Sequence, residues 1–167
     1  MTKQRGFEIV SENHRTAFNV LTDEKKKKYT FPVDIKLPAR ADAKSAGYDF
    51  YSPKDVQILP GHNVVIFTDV KAYMQPDEVL EIFIRSSLAI KSGLKLTNSV
   101  GIIDSSYYSN PDNDGNIGIA ITNTSGTAVT INAGDRIAQG IFKKYLVADE
   151  DTTLNNERTG GFGSSGE

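Results

Sequence analysis

Asn116-Ile117-Gly118-Ile119-Ala120-Ile121-Thr122 alternates without a break between isoleucines and small or polar residues. A period of two is the signature of a strand with one buried face, because successive side chains point to opposite sides of the pleat. With large residues on one side and small ones on the other, such a strand suits a crowded interior or a subunit junction. Outward from it, Val64-Val65-Ile66-Phe67 and Val79-Leu80-Glu81-Ile82-Phe83-Ile84 are β-branched and aromatic runs bounded by Pro, Gly, Asp and Asn. Thr127 to Ile131 and Arg136 to Phe142 supply two further short strands. Leu59-Pro60-Gly61, Gln75-Pro76-Asp77, Asn123-Thr124-Ser125-Gly126 and Asn132-Ala133-Gly134-Asp135 read as the turns between them. Many short strands, glycine- and proline-bearing turns and almost no helical period predict an all-β sandwich or barrel. Ser86 to Gly93 is the exception: serines suited to capping, then helix formers, then a glycine stop predict one short helix leaving a strand directly. Its N-terminus, beside Arg85, is expected to attract anions.

Composition narrows the function. The chain has 167 residues, a length that favours one domain, with a formal net charge of −2. That balance argues against nucleic acid or an anionic membrane surface as principal partner. The absence of cysteine removes disulfides, thiol nucleophiles and thiolate metal sites. With only His14 and His62, a three-histidine zinc site is impossible and a Ser-His-Asp triad improbable. No apolar run approaches the ~20 residues of a membrane span, and the N-terminus lacks a signal peptide's apolar stretch. A soluble, cytoplasmic protein is expected.

Both ends read as looser. Residues 11–30 hold Asn13-His14-Arg15, Asp23-Glu24 and the run Lys25 to Lys28, which is either a polyanion contact or a solvated loop. The tail from Thr159 to Glu167 is Gly-rich around a lone Phe162. A tail of this composition does not pack alone, so the aromatic either docks elsewhere or closes over a ligand.

Walker A, G-x-S-x-G, H-E-x-x-H and dinucleotide fingerprints are all missing. What remains is a set of polar, glycine-punctuated segments interrupting apolar strands. In order they are Ala46-Gly47-Tyr48-Asp49, Arg85-Ser86-Ser87, Gly101-Ile102-Ile103-Asp104-Ser105-Ser106-Tyr107, Gly134-Asp135-Arg136-Ile137-Ala138-Gln139 and Arg158-Thr159-Gly160-Gly161-Phe162-Gly163. Singly, each has a bland reading: Asp49 as a turn acid, Arg85 as a paired surface residue, Gly134-Asp135 as a hairpin turn, Asp104 as the cap of a strand spanning 99–104.

Together and in this order, the segments resemble the motifs of the trimeric dUTP pyrophosphatases (dUTPases), from about Leu37 to Gly166. The stretch beginning at Gly101 and the tail beginning at Gly160 carry the likeness most specifically. The resemblance implies a distorted jelly-roll β-barrel with one short helix, forming a homotrimer. It implies a domain over residues 1–157, with 11–30 as an insertion, and a flexible arm over 158–167 exchanged between subunits. Active sites would lie between subunits, each covered by an arm.

The resemblance also implies roles. Asp104 would activate a water that attacks the α-phosphorus of dUTP, giving dUMP and pyrophosphate. Tyr107 would pack on the deoxyribose and leave no room for a 2′-OH. Asn98 would recognise uracil from a β-hairpin completed by backbone from Ser99 to Gly101. Arg85, Ser86, Ser87, Arg136 and Gln139 would contact phosphates. Mg²⁺ would be held by phosphates and waters, the waters leaning on Asp49 and Gln139. From the arm, Phe162 would stack over the uracil, with Gly163 beside it also contacting substrate, while Arg158, Ser164 and Ser165 reach the phosphates.

Some positions depart from the family pattern. Ser87 stands where many members have glycine, Ser106 where an acidic residue often precedes the tyrosine, and Arg158 lies one residue nearer the phenylalanine. Ser109-Asn110-Pro111-Asp112-Asn113-Asp114 is inserted before Gly115, read as a loop extension near the active-site rim. The deaminase relatives that share this fold carry a further arginine where this chain has Ile90, and lack the arm. A trimer that docks a regulatory protein through the insertion or residues 11–30 is a reading of a different class, and Phe162 as a mere subunit staple is another.

Overall fold

The computed structural model describes residues 2–15 and 34–153. The lysine run, and the tail with Arg158, Phe162, Gly163, Ser164 and Ser165, fall outside those residues. The strands are β1 (Gly6–Ile9), β2 (Ala39–Arg40), β3 (Tyr48–Tyr51), β4 (Val56–Ile58), β5 (Asn63–Phe67) and β6 (Val70–Tyr73). They continue with β7 (Glu78–Ile84), β8 (Leu94–Leu96), β9 (Gly101–Asp104), β10 (Gly118–Asn123), β11 (Val129–Ile131) and β12 (Arg136–Lys144), with helix α1 (Ser86–Ser92) between β7 and β8.

All-β architecture is confirmed, but barrel closure is not. Among the described residues the ladders form separate sheets in the orders β2-β3-β12-β7-β9, β5-β10-β8, β1-β6 and β11-β4, none closed on itself. Strand β10 bears out the alternation of its sequence: Ile117, Ile119 and Ile121 are buried, whereas Gly118, Ala120 and Thr122 are only half-buried. The isoleucines meet Phe50, Ile66, Leu80, Leu94 and Leu96 in one core. Removing that apolar area from water is the main force holding the sheets together.

Three local expectations are corrected. The helix is present, but Arg85 is its N-cap and no side chain caps it, so the serines lie inside the first turn. Gly93 does end it, in the left-handed conformation at φ 64°. Ser99 turns the chain at φ 65°, with Val100 N–H bonded to the Asn98 carbonyl at 2.7 Å. The strands flanking that turn do not form a hairpin, because β8 pairs with β10 and β9 with β7. Before residue 11 the N-terminal end is held rather than loose: β1 pairs with β6, and Arg5 makes a two-oxygen ion pair with the buried Glu78.

One irregularity in β12 sets the geometry of the candidate site. Arg136 pairs with Tyr51 and Ala138 with Phe50, so Ile137 is an extra residue, a β-bulge. Consecutive strand residues should face opposite ways, yet Ile137 and Ala138 are both fully buried. The bulge resets the alternation. Arg136 and Gln139, three residues apart, therefore emerge together on the side of Asp49.

Candidate active site

The described candidate residues fall into two groups. The first gathers where β7 passes into α1 and runs beside β3 and β12. Asp49 on β3 is 7% exposed, and its carboxylate sits between two guanidiniums. Arg85 Nε lies 3.1 Å from Oδ1, and Arg136 donates from Nη1 to Oδ2 at 3.1 Å. Gln139 pairs in register with Asp49, and its Oε1 would stand 2.7 Å from a Cβ added at Gly47, so glycine there makes room for that amide.

Around this group open two clefts of about 310 Å³ each. Gly47, Asp49, Arg85, Ser86 and Gln139 line one, with Ala41 and Ser45 on its lip. Ser87, Arg85, Asp135 and Arg136 line the other, so Arg85 divides the two. The lip is a self-bonded turn: the Asp42 carboxylate accepts the backbone N–H of Lys44 and Ser45 and the Ser45 hydroxyl, while Arg40 donates to the Ala43 and Ser45 carbonyls. Ala41 and Ser45 escaped the sequence reading; the signal was an aspartate three residues before a serine, the pattern of an Asx turn.

The second group belongs to β9 and its flanks. Asn98 is exposed in the turn, Gly101 opens the strand, and the exposed Asp104 closes it. Gly101 lies against Ile82, whose Cβ would be 3.0 Å from an added Cβ. Asp104 occupies the N-cap of the following 3-10 turn without a side-chain capping bond to it. Tyr107 ends that turn and is 5% exposed, its hydroxyl donating to the Asn116 carbonyl at 2.9 Å.

Within one chain the two groups stand apart. Gly101 pairs with Ile82 and Asp104 with Val79, while Arg85 follows the far end of the same β7. Six residues of strand at ~3.4 Å each separate Val79 from Arg85 by about 20 Å. Arg85, Ser86, Ser87, Arg136, Gln139 and Asp49 thus converge, whereas Asp104 and Tyr107 do not join them.

No group of three or more His, Asp or Glu among the described residues is placed to hold a metal ion. No helix among them is long and apolar enough to cross a membrane. The inserted residues 109–114 are tied to the body of the fold. Asp114 accepts from Ser11 N–H at 2.8 Å and from Lys71 at 2.9 Å, which fastens the loop to β6 and to the segment after β1.

Comparison with known proteins agrees with this architecture. The dUTPase family profile matches residues 33–166. A deoxyuridine 5'-triphosphate nucleotidohydrolase of Lactococcus lactis is 42% identical, covering 98% of this chain and 99% of its own. One from Vaccinia virus is 36% identical over 78% of this chain and 86% of its own. The crystal structure of the Streptococcus mutans dUTPase superposes with a TM-score of 0.70 at 38% identity, covering 86% of this chain and 98% of that one. The dUTPase from phage phi11 of Staphylococcus aureus shares the fold at 23% identity and a TM-score of 0.65, over 93% and 99%. The chain belongs to the dUTPase family, that of the dUTP diphosphatases.

Proposed function

We propose that the protein hydrolyses dUTP to dUMP and pyrophosphate in sites shared between copies of a homotrimer. Such an activity keeps uracil out of DNA and supplies dUMP for thymidylate, in a cytoplasmic setting. The observation that carries the reading is the placement of Arg85 and Arg136 around Asp49 beside the exposed Ser86 and Ser87. Two guanidiniums held at fixed positions next to hydroxyls and a glutamine amide form a preorganised cradle for a polyphosphate.

Asp104 is the proposed general base. A carboxylate at an exposed strand end can hold a water in line with a leaving group, provided that the triphosphate comes to it. The ~20 Å between Asp104 and the arginine cradle exceeds the reach of one triphosphate chain. A neighbouring copy would therefore supply the cradle, while this chain supplies Asn98 and the Gly101 backbone for uracil and Tyr107 for the deoxyribose. The arm, with Arg158, Phe162, Gly163, Ser164 and Ser165, would come from a third copy and close over the base and phosphates.

The donor set fits Mg²⁺ that arrives on the triphosphate. No described acid cluster could strip its water, and both oxygens of Asp49 face arginines, so protein contact would run through water to Asp49 and Gln139. Bound in that way, Mg²⁺ supplies neutralisation of phosphate charge. Positioning and charge compensation by Arg85, Arg136 and the serines supply the remainder.

Pyrophosphate release with Mg²⁺, from dUTP beside dCTP, dTTP and UTP, tests the proposal. Release selective for dUTP is expected. Ammonia and dUTP formed from dCTP would instead mark a deaminase.

A further inference from the structure

We infer that Asn113 is a positioning residue for Tyr107, and that the inserted loop holds that ring where the proposed sugar pocket needs it. The inference rests on the reading of Tyr107 as the deoxyribose contact. The Tyr107 hydroxyl donates to the Asn116 carbonyl at 2.9 Å and accepts from Asn113 Nδ2 at 2.7 Å, so a bond on either side restrains the ring.

Asn113 is itself oriented. Its Oδ1 accepts from Asn110 Nδ2 at 2.7 Å and from Gly115 N–H at 3.1 Å. A flipped amide would set donors against donors, so Nδ2 must face the tyrosine. Asn110, 5% exposed, is the hub of the loop: its Oδ1 accepts the N–H groups of Asp112 and Asn113, and its Nδ2 also donates to the Tyr107 carbonyl at 3.0 Å. Left-handed backbone at Ser109, Asp114 and Gly115 folds the insertion back on itself. A Cβ at Gly115 would stand 2.7 Å from the Tyr107 carbonyl oxygen, so the loop closes directly against the tyrosine. Outside, Asp114 and the Ser109 hydroxyl both take Lys71, which anchors the assembly to β6. A simple extension would have no need to aim two asparagines at one tyrosine.

The consequence falls on sugar selection. Rejection of a 2′-OH by a ring is steric, and small misplacements of a contact group have large kinetic effects. Releasing the hydroxyl should let the ring yield to a ribose.

The test is kcat/KM for dUTP divided by kcat/KM for UTP. Asn113→Ala is expected to lower that ratio about five- to tenfold, the scale of one hydrogen bond, chiefly by improving UTP. Tyr107→Phe removes that bond together with the one to the Asn116 carbonyl while leaving the loop's own bonds intact, and carries the test if Asn113→Ala does not fold. The double variant should fall no further than Tyr107→Phe alone, which already lacks the Asn113 bond. Asp114→Asn, which loosens only the outer anchor, should lower Tm and leave the ratio unchanged. Wild-type ratios in folded Asn113→Ala and Tyr107→Phe would overturn the inference, as would an equal loss in Asp114→Asn. Tyr107→Ala separates the two levels. If it keeps the ratio, the sugar reading itself fails; if it loses the ratio while the other two keep it, only the positioning role falls.

Discussion

Replacing Asp49 by alanine removes the group that holds both arginines of the cradle. The Arg136 contact is charge-assisted, but Arg136 is 45% exposed, so screening reduces its worth to about 1 kcal/mol. The Arg85 contact joins side chains 25% and 10% exposed and contributes a similar ~1 kcal/mol. Asp49→Ala should therefore cost about 2 kcal/mol, which for a chain of this length lowers Tm by roughly 4–8 °C. The functional effect has a sign that the geometry sets. If the carboxylate aligns the guanidiniums, its loss scatters them and raises the KM for dUTP, by about tenfold if ~1.4 kcal/mol of preorganisation is lost. If instead it competes with phosphate, its loss exposes two free cations and lowers KM. Thermal unfolding and a continuous pyrophosphate assay on one preparation read both quantities. An unchanged Tm would refute the ion-pair estimate, and a lowered KM would refute the alignment role.

Asp104→Asn should leave fold and dUTP binding intact while kcat falls by about 10²–10⁴, the range for loss of a general base; unchanged turnover would remove Asp104 from that role. Gly47→Ala should push the Gln139 amide out of the cleft, raising KM severalfold with little change in Tm, because the clashing atom is the movable end of a side chain. Arg5 holds the Glu78 carboxyl below its ordinary value of 4.5 by a side-chain hydrogen bond, against the opposing effect of burial. A carboxylate with a depressed folded pKa contributes stability that is complete above the unfolded value and is lost as pH falls through the folded one. The Tm gap between wild type and Arg5→Ala should be full at neutral pH and close below pH 4.5; a gap that persists in acid would contradict this.

Much of the fold was legible because β10 alternates strictly, β7 is a run of β-branched and aromatic residues, β12 reads as a short strand after a glycine turn, and α1 ends on a glycine that needs left-handed backbone. The short strands β1, β2, β3, β4, β6 and β8 were not, since pairing with distant partners, rather than local pattern, makes them strands. Alternation also concealed the bulge at Ile137. A strict period of two would place Arg136 and Gln139 on opposite faces, and only the register with β3 brings both towards Asp49. The chemistry of Asp49, Arg85, Arg136 and Gln139 was readable as ordered motifs, whereas their mutual contact was not. The insertion was opaque for a related reason: its asparagines look like ordinary loop residues until their bonds to Tyr107 are seen.

Subunit complementation tests the central claim most directly. Asp104→Asn and Arg85→Ala chains, each inactive alone, are refolded together, with mixed trimers verified by native mass spectrometry. If Asp104 and Arg85 act from different copies, random assembly in a closed three-fold ring restores about a quarter of wild-type dUTP turnover. Mixed trimers without activity would mean that both residues must come from one chain, contrary to the account.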